Sequence, residues 1–386
     1  MQEKQVYEQV SLAVVHFEAL EDPRIERHKK YPLVEIIVIA LSAILSEAES
    51  FYDMAAFGEA KEEWLKQFLT LEHGTPSHDT FRRVFSLIDP TQFQICVLDW
   101  VRAVVGGKLS AEDILSIDGK QLCGSANAAF EGVHMLNVWS HQHGICLTSS
   151  AVDGKSNEIT HVPGVLDTLS LLDLAGCIVT VDALNTQRDT ANRVKEHKAE
   201  YVMALKGNQP TLLENVTWLF EQDDQAVKQA KGSAASSFET KERSRGRDEW
   251  RQASVLYDLD YLQDNGWPGL QSVARVSSKR SAKGKTSHEV RYYLCSFKPD
   301  AKKLLSIVRT HWEVENKLHW TLDVIFKEDA HSYRERTGAE NMSVLRQLAL
   351  NLLKQDASKG SLKGKRKRAA WDDDFRASIL KHLNPD

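Results

Sequence analysis

The chain has 386 residues, 42% hydrophobic and 27% charged, which excludes a disordered or collagen-like protein and leaves room for two or three compact cores. A formal net charge of -5 carries no chain-wide signature of nucleic-acid binding, although a local basic groove disappears in such a sum. Five scattered cysteines, Cys96, Cys123, Cys146, Cys177 and Cys295, include no CxxC pair; they argue against a disulfide framework or a cysteine zinc site and suit a reducing cytoplasm.

The N-terminus has no apolar segment behind a basic start, so no secretory signal is expected. The most apolar run, Leu33 to Leu45, is interrupted by Glu35 and falls well short of the roughly 20 residues that cross a bilayer. It reads as a buried helix opened by Pro32, with Ile36, Ile37, Ala40, Leu41 and Ile44 in helical period. A second helix is predicted over Phe51 to Phe68. Ser77 or Asp79 caps a third, bearing Phe81, Val84 and Phe85, and Asp89-Pro90 ends it before a fourth from Phe93 to Val105. Residues 1–107 therefore form a helical unit closed by Gly106-Gly107.

At Ile114 the pattern changes. Ile114 to Lys120 is a short apolar strand that ends in a carboxylate, Asp118, and a turn glycine, and Val133 to Ser140 and Gly144 to Val152 continue it as an antiparallel meander. A helix from Val162 to Leu172, a strand from Cys177 ending in Asp182, a helix from Gln187 to His197 and a strand from Tyr201 to Lys206 follow. Gln209 to Glu221 is helical. Beyond it the chain turns polar and β-like until Ser296, with Lys279 to Lys285 as an exposed hairpin tip. The last long helical pattern places Leu304, Val308, Trp312, Leu318 and Leu322 on one stripe with Glu315 among them and Glu313 turned away. Ala339 to Leu353 is a further helix, and the tail from Lys359 to Arg368 is basic.

This order of elements is that of a ribonuclease-H-like α/β sheet flanked by helices. Asp118 and Asp182 fall at or just past the middle of apolar strands, where neighbouring strands bring them side by side. Two carboxylates so placed repel each other unless a divalent cation neutralises them. Hard oxygen donors of this kind suit magnesium or manganese. If Glu315 completes the set, two ions flank a scissile phosphate, one serving the nucleophile and one the leaving oxygen. Taken singly, each aspartate also reads as a turn or helix cap. His311, Glu315 and His319 could suggest zinc, but the HExxH spacing is absent. Trp312 and Trp320 read first as core anchors and second as surfaces for a displaced base.

The sequence resembles the DDE transposases of bacterial insertion sequences, within them the H-repeat-associated group found beside Rhs elements. The resemblance rests on His78-Asp-Thr-Phe-Arg-Arg83, Ile117-Asp-Gly-Lys120, Lys155-Ser-Asn-Glu-Ile-Thr160, Thr180-Val-Asp-Ala-Leu-Asn-Thr-Gln187, Ala204-Leu-Lys-Gly-Asn-Gln209, Ser244-Arg-Gly-Arg247, Arg291-Tyr-Tyr293, His311-Trp-Glu-Val-Glu-Asn-Lys-Leu-His-Trp-Thr-Leu-Asp323 and Glu328-Asp329. It implies a helical domain at 1–107, a ribonuclease-H-like catalytic domain at 108–358 with a β-rich insertion at about 222–298, and a basic tail at 359–386. It assigns the DDE triad, which ligates the metals, to Asp118, Asp182 and Glu315. Related transposases often bracket the glutamate with an arginine and a later lysine. Here Arg309 and His311 precede it and Leu322 stands seven residues after it, which leaves Lys317 or Lys327 as substitutes.

The expected function is a metal-dependent DNA transposase using magnesium or manganese, with two ions. It cleaves at the element's ends and joins the freed 3′-hydroxyl to target DNA. Lys120, Lys206, Arg309, His311, Lys317, Arg245 and Arg247 are the candidate phosphate contacts. Expected partners are double-stranded DNA, both terminal inverted repeats and target, with a homodimer in the DNA complex, no membrane and a cytoplasmic or nucleoid location. The competing readings are a transposase-derived DNA-binding protein and a nuclease that cuts without joining. Arg24 to Lys30 and Arg82-Arg83 are basic candidates for reading the ends.

Overall fold

Pro32 opens the first long helix because its φ of −53° is already helical and it has no N–H to leave unsatisfied. Helix α1 (Leu33–Leu45) is apolar nearly all round and buried nearly all round. Its one charge, Glu35, accepts the backbone N–H of Thr70 and Leu71 at 3.1 and 3.0 Å, which is what allows a carboxylate there. A capping box between Ser50 and Asp53 starts α2 (Phe51–Ala60). Helix α3 (His78–Leu87) follows. Asp89 then caps α4 (Pro90–Val104) with Pro90 in its first turn, so the dipeptide that ends one helix also begins the next, earlier than Phe93. The structure, a computed structural model, describes residues 15–126, 132–152, 158–229, 233–244, 246–282 and 285–384.

The strands are β1 (Ile114–Leu122), β2 (Val133–Ser140) and β3 (Ile145–Val152), then β4 (Ile178–Val181) and β5 (Glu200–Leu205), each preceded by a helix, α5 (Glu158–Thr168) and α6 (Arg188–Glu196). After α7 (Pro210–Lys228) come four long strands, β6 (Ser236–Ser244), β7 (Arg247–Leu256), β8 (Ser272–Ala282) and β9 (Lys285–Cys295), and then α8 (Ala301–His311). Among the described residues the strands pair in the order β3-β2-β1-β4-β5-β9-β8-β7-β6. The β1·β4 and β4·β5 pairs are parallel, and β9 returns antiparallel to β5. The sheet is therefore mixed and flanked by helices, the ribonuclease-H-like arrangement, and the polar β-rich stretch extends it.

The chain divides into two compact units, one of Met1–Lys108, Gly119–Glu158 and Glu315–Asp386, the other of Leu109–Asp118 and Ile159–Val314. In the second, β7, β8 and β9 are apolar at one end and exposed at the other. The apolar ends, with Val255, Ala274 and Cys295, bury Leu304, Leu305 and Val308 of α8. The lysine-rich tip of β8 and β9 carries the exposed end.

In the first unit the centre is α10 (Arg336–Gln355), reached through a π turn (Glu315–His319), α9 (Trp320–Val324) and a 3-10 turn (Glu328–Ala330). Most of α10 is buried, and several of its polar side chains find partners. Asn341 donates to the carbonyls of Phe85 and Ile88, Gln347 to Asn137, and Asn351 to the carbonyl of Cys146. Two further helices, α11 (Leu362–Trp371) and α12 (Asp373–Leu380), hold the basic tail. Its Arg366 is buried, donates to the carbonyls of Ile44 and Ile325 and lies over the Phe326 ring. Lys365 pairs with Asp356. These two cations serve the core. No helix among the described residues is long and apolar enough to cross a membrane.

His331 stacks edge-on to Phe51 at 5.4 Å, and burial, helped by the nearby Arg346 charge, pushes its pKa from the ordinary 6.5 down to about 3. Between those values the unfolded chain binds a proton that the folded chain does not. Stability present above about 6.5 is thus lost as pH falls toward 3. Urea unfolding measured at about pH 7 and pH 5 is expected to show this slope, and His331→Gln to reduce it by up to about 1.4 kcal/mol per pH unit. Equal slopes in the two proteins would refute it.

Candidate active site

Strands β1 and β4 run parallel in a register that sets Leu115 against Val179 and Ile117 against Val181. All four side chains are buried, as the core of a parallel sheet requires. The next position on each strand is an aspartate: Asp118 on β1 and Asp182 just past β4. Both are half-buried. Asp182 accepts from the backbone N–H and the side-chain amide of Asn185, each at 3.1 Å. The polar positions behind them also meet. Thr180 lies 3.1 Å from Ser116 and 2.8 Å from Nδ1 of His311 at the end of α8.

A cavity of about 100 Å³ beside Asp182 is lined by Lys206, Arg291, Tyr293, His311 and Trp312 as well. Lys206 is exposed at the end of β5, and Arg291 lies 4.6 Å over the Trp312 ring. Trp312 is 45% exposed and Trp320 is 53% exposed, so the expectation that both are core anchors does not hold. Arg309 forms a two-pronged pair with Glu242 of β6, and this hydrogen bonding holds the Glu242 carboxyl below its ordinary pKa. Arg247 is exposed at the β6–β7 hairpin, and Arg245 lies outside the described residues, as do residues 155–157 of the Lys155–Thr160 motif.

In the other unit, Glu315 opens the π turn. The expected single helix with Glu315 on an inward stripe is not what forms: α8 ends at His311, and the wider turn re-phases the residues that follow. Leu318 and Leu322 are buried, whereas Glu315 is 54% exposed and its carboxylate lies 3.6 Å from Nδ1 of the buried His319. Lys317, on the same turn, is exposed.

Lys120 is buried, and its ammonium lies 2.6 Å from Asp323 and 2.7 Å from Glu328. Glu328 also accepts from the Ser343 hydroxyl at 2.9 Å. Burial alone would lower the Lys120 pKa, but the Glu328 charge and the bond to Asp323 outweigh it and raise the value. Burial raises the Asp323 carboxyl in turn. The turn that delivers Glu328 is set by Lys327 in the left-handed region at φ 55°. These carboxylates stood in the sequence beside the motif that ends at Asp323, but no local pattern linked them to a lysine two hundred residues earlier.

The donors suited to a metal are therefore Asp118 on β1, Asp182 just past β4, and Glu315 with His319 on the π turn. Carboxylate oxygens fit magnesium or manganese, whereas an imidazole is the softer donor more usual for zinc, iron, copper or nickel.

Lys120→Met is expected to destabilise the protein by about 3–5 kcal/mol, because it leaves buried carboxylates without their cation. Adding Glu328→Gln should restore much of that loss. Chemical denaturation of both variants checks this, and a single variant as stable as the unaltered chain would contradict it.

A family model described as "Transposase DDE domain" matches residues 82–352, and one described as "DDE_Tnp_1-associated" matches residues 14–101. Protein YbfL of Escherichia coli (strain K12) is 34% identical over 374 residues, covering 95% of this chain and 96% of its own. The H repeat-associated YhhI of the same strain shows the same identity over 374 residues, with 95% and 96% covered. YncI of Escherichia coli O157:H7 is 33% identical over 377 residues, with 95% and 93% covered. With the family model spanning most of its length and relatives this similar along nearly all of both chains, the chain belongs to the DDE transposase family and is related to its H repeat-associated bacterial members.

Proposed function

We propose that the protein is a DNA transposase with Asp118, Asp182 and Glu315 as its catalytic carboxylates. The observation that carries this reading is the β1–β4 register, which puts Asp118 of β1 and Asp182, just past β4, at the next position along two adjacent parallel strands in a chain of this family. Divalent ions, when bound, would neutralise charge on the scissile phosphate and polarise it toward attack. Asp118, Asp182 and Glu315 would hold them, two ions in all, with the His319 imidazole 3.6 Å from the Glu315 carboxylate.

The remaining residues act on the DNA or on the frame around it. Lys206 and Lys317, both exposed, contact phosphate oxygens and fix the strand for in-line displacement. His311 is held by Thr180 in a defined orientation beside Asp182. Lys120 and Arg309 are already answered by carboxylates, so they serve by holding β1 and the inserted strands in place. Water opens the phosphodiester at the element's end, its proton passing to solvent, and leaves a free 3′-hydroxyl. That hydroxyl then displaces a target-strand oxygen, so one phosphodiester is exchanged for another with no external energy source. Duplex DNA, as terminal inverted repeats and target, is the partner, and a homodimer would bring two ends together.

The test is strand cleavage and joining on a supercoiled plasmid carrying the inverted repeats that flank the reading frame, with magnesium or manganese supplied. Asp118→Asn, Asp182→Asn and Glu315→Gln are each expected to lower cleavage by more than the ~100-fold that loss of an outer-shell partner of a metal ligand can cost. DNA binding should persist in all three. Undiminished cleavage by any of them would remove that residue from the triad. Cutting without joining by the unaltered chain would favour a nuclease.

A further inference from the structure

We infer that the N-terminal helical region carries a duplex-DNA backbone site in the cleft between the 22–31 loop and α3, an inference that rests on the reading of DNA as substrate. The loop is closed by Arg24, which is buried, makes two hydrogen bonds to the Asp22 carboxylate at 2.9 and 2.7 Å and donates to the Tyr31 carbonyl at 2.7 Å. That closure presents Arg27 and Lys30 opposite Arg83 of α3, around a cavity of about 400 Å³. All three side chains are exposed, and among the described residues no carboxylate lies within ion-pair distance of any of them.

This sets them apart from several other cations of the helical region. Arg82, next to Arg83, is paired with Asp79, Lys66 with Glu62 and Glu63, and Lys29, within the same loop, with Glu26. In a chain of net charge -5, three cations left to solvent around one cleft are positioned for an external anion. Arginine forks and a lysine match phosphate oxygens, and the half-exposed Leu87 on the cleft wall offers an apolar surface to a deoxyribose. Such contacts hold the backbone and do not read sequence, so the site grips any duplex and leaves choice of sequence to other residues.

The full chain is titrated with a fluorescein-labelled duplex of arbitrary sequence, by anisotropy, over a series of salt concentrations. Each phosphate contact contributes about 0.9 to the slope of log K against log salt, so Arg27→Ala/Lys30→Ala/Arg83→Ala should flatten it by up to roughly 2.7. A matched variant of three exposed, paired cations, Lys66→Ala/Lys241→Ala/Arg368→Ala, should leave the slope unchanged. The altered side chains are exposed, and thermal melts verify that both variants stay folded. The inference is overturned by an unchanged slope and affinity in the triple variant, by an equal loss in the matched variant, or by no binding of the duplex to the unaltered chain. Loss of binding in the triple variant when the unaltered chain cannot cleave would keep this site and reject the transposase reading. Intact binding by the triple variant of a chain that does cleave would do the reverse.

Discussion

An ammonium withdrawn from water needs anions around it, and Lys120 has them in Asp323 and Glu328. Much else follows from that pairing. Side chains on a strand alternate, so Lys120 and Asp118 share one face of β1, and anchoring the lysine fixes the strand that carries the aspartate. The opposite face is closed as well. A Cβ on Gly119 would fall 2.5 Å from the ring of His134 and 2.3 Å from the carboxylate of Glu158, themselves a buried pair. A side chain at that position would have to push both aside. Gly124 plays a comparable part at the end of β1, where a Cβ would meet the carbonyl oxygens of Asp329 and His331 at 2.6 and 2.5 Å. In the short motif Asp-Gly-Lys, beside the aspartate proposed for chemistry, the glycine thus leaves room and the lysine anchors the strand.

A second constraint acts on the inserted strands. They are long, and only one end of each is apolar, which would leave them poorly held if they stood alone. Pairing β9 with β5 joins them to the sheet, and α8 buries their apolar ends. Arg309 on α8 reaches across to Glu242 on β6, and Arg291 on β9 covers Trp312. The insertion thereby contributes Arg291 and Tyr293 to the wall of the cavity beside Asp182.

Much of this was legible in the residues. The helical N-terminal region, the meander, both aspartate-bearing strands and the return of the chain through α8 all announce themselves by period, caps and turn residues, because those are local properties. The aspartates also stood out, since a carboxylate in an apolar strand is costly without a partner. What went astray was the segment around Glu315. A run of apolar residues at helical spacing does not reveal a π turn, which adds a residue to one turn and rotates everything after it. Trp320, which follows the turn, came out exposed for that reason, while Trp312 stands where α8 has already ended. The basic tail misled in another way: Lys365 and Arg366 look like surface charge until Asp356 and the carbonyls of Ile44 and Ile325 are placed around them.

The sequence by itself determined the order of elements, the two strand segments that carry Asp118 and Asp182 and the family to which the chain belongs, because each depends on residues close together or on motifs shared with relatives. Tertiary structure alone decided which cations are spoken for. Lys120 and Arg309 are held by carboxylates far along the chain, while Arg27, Lys30 and Arg83 face solvent around one cleft. Charge is written in the sequence, but whether a charge is answered depends on what the fold brings within a few ångströms of it.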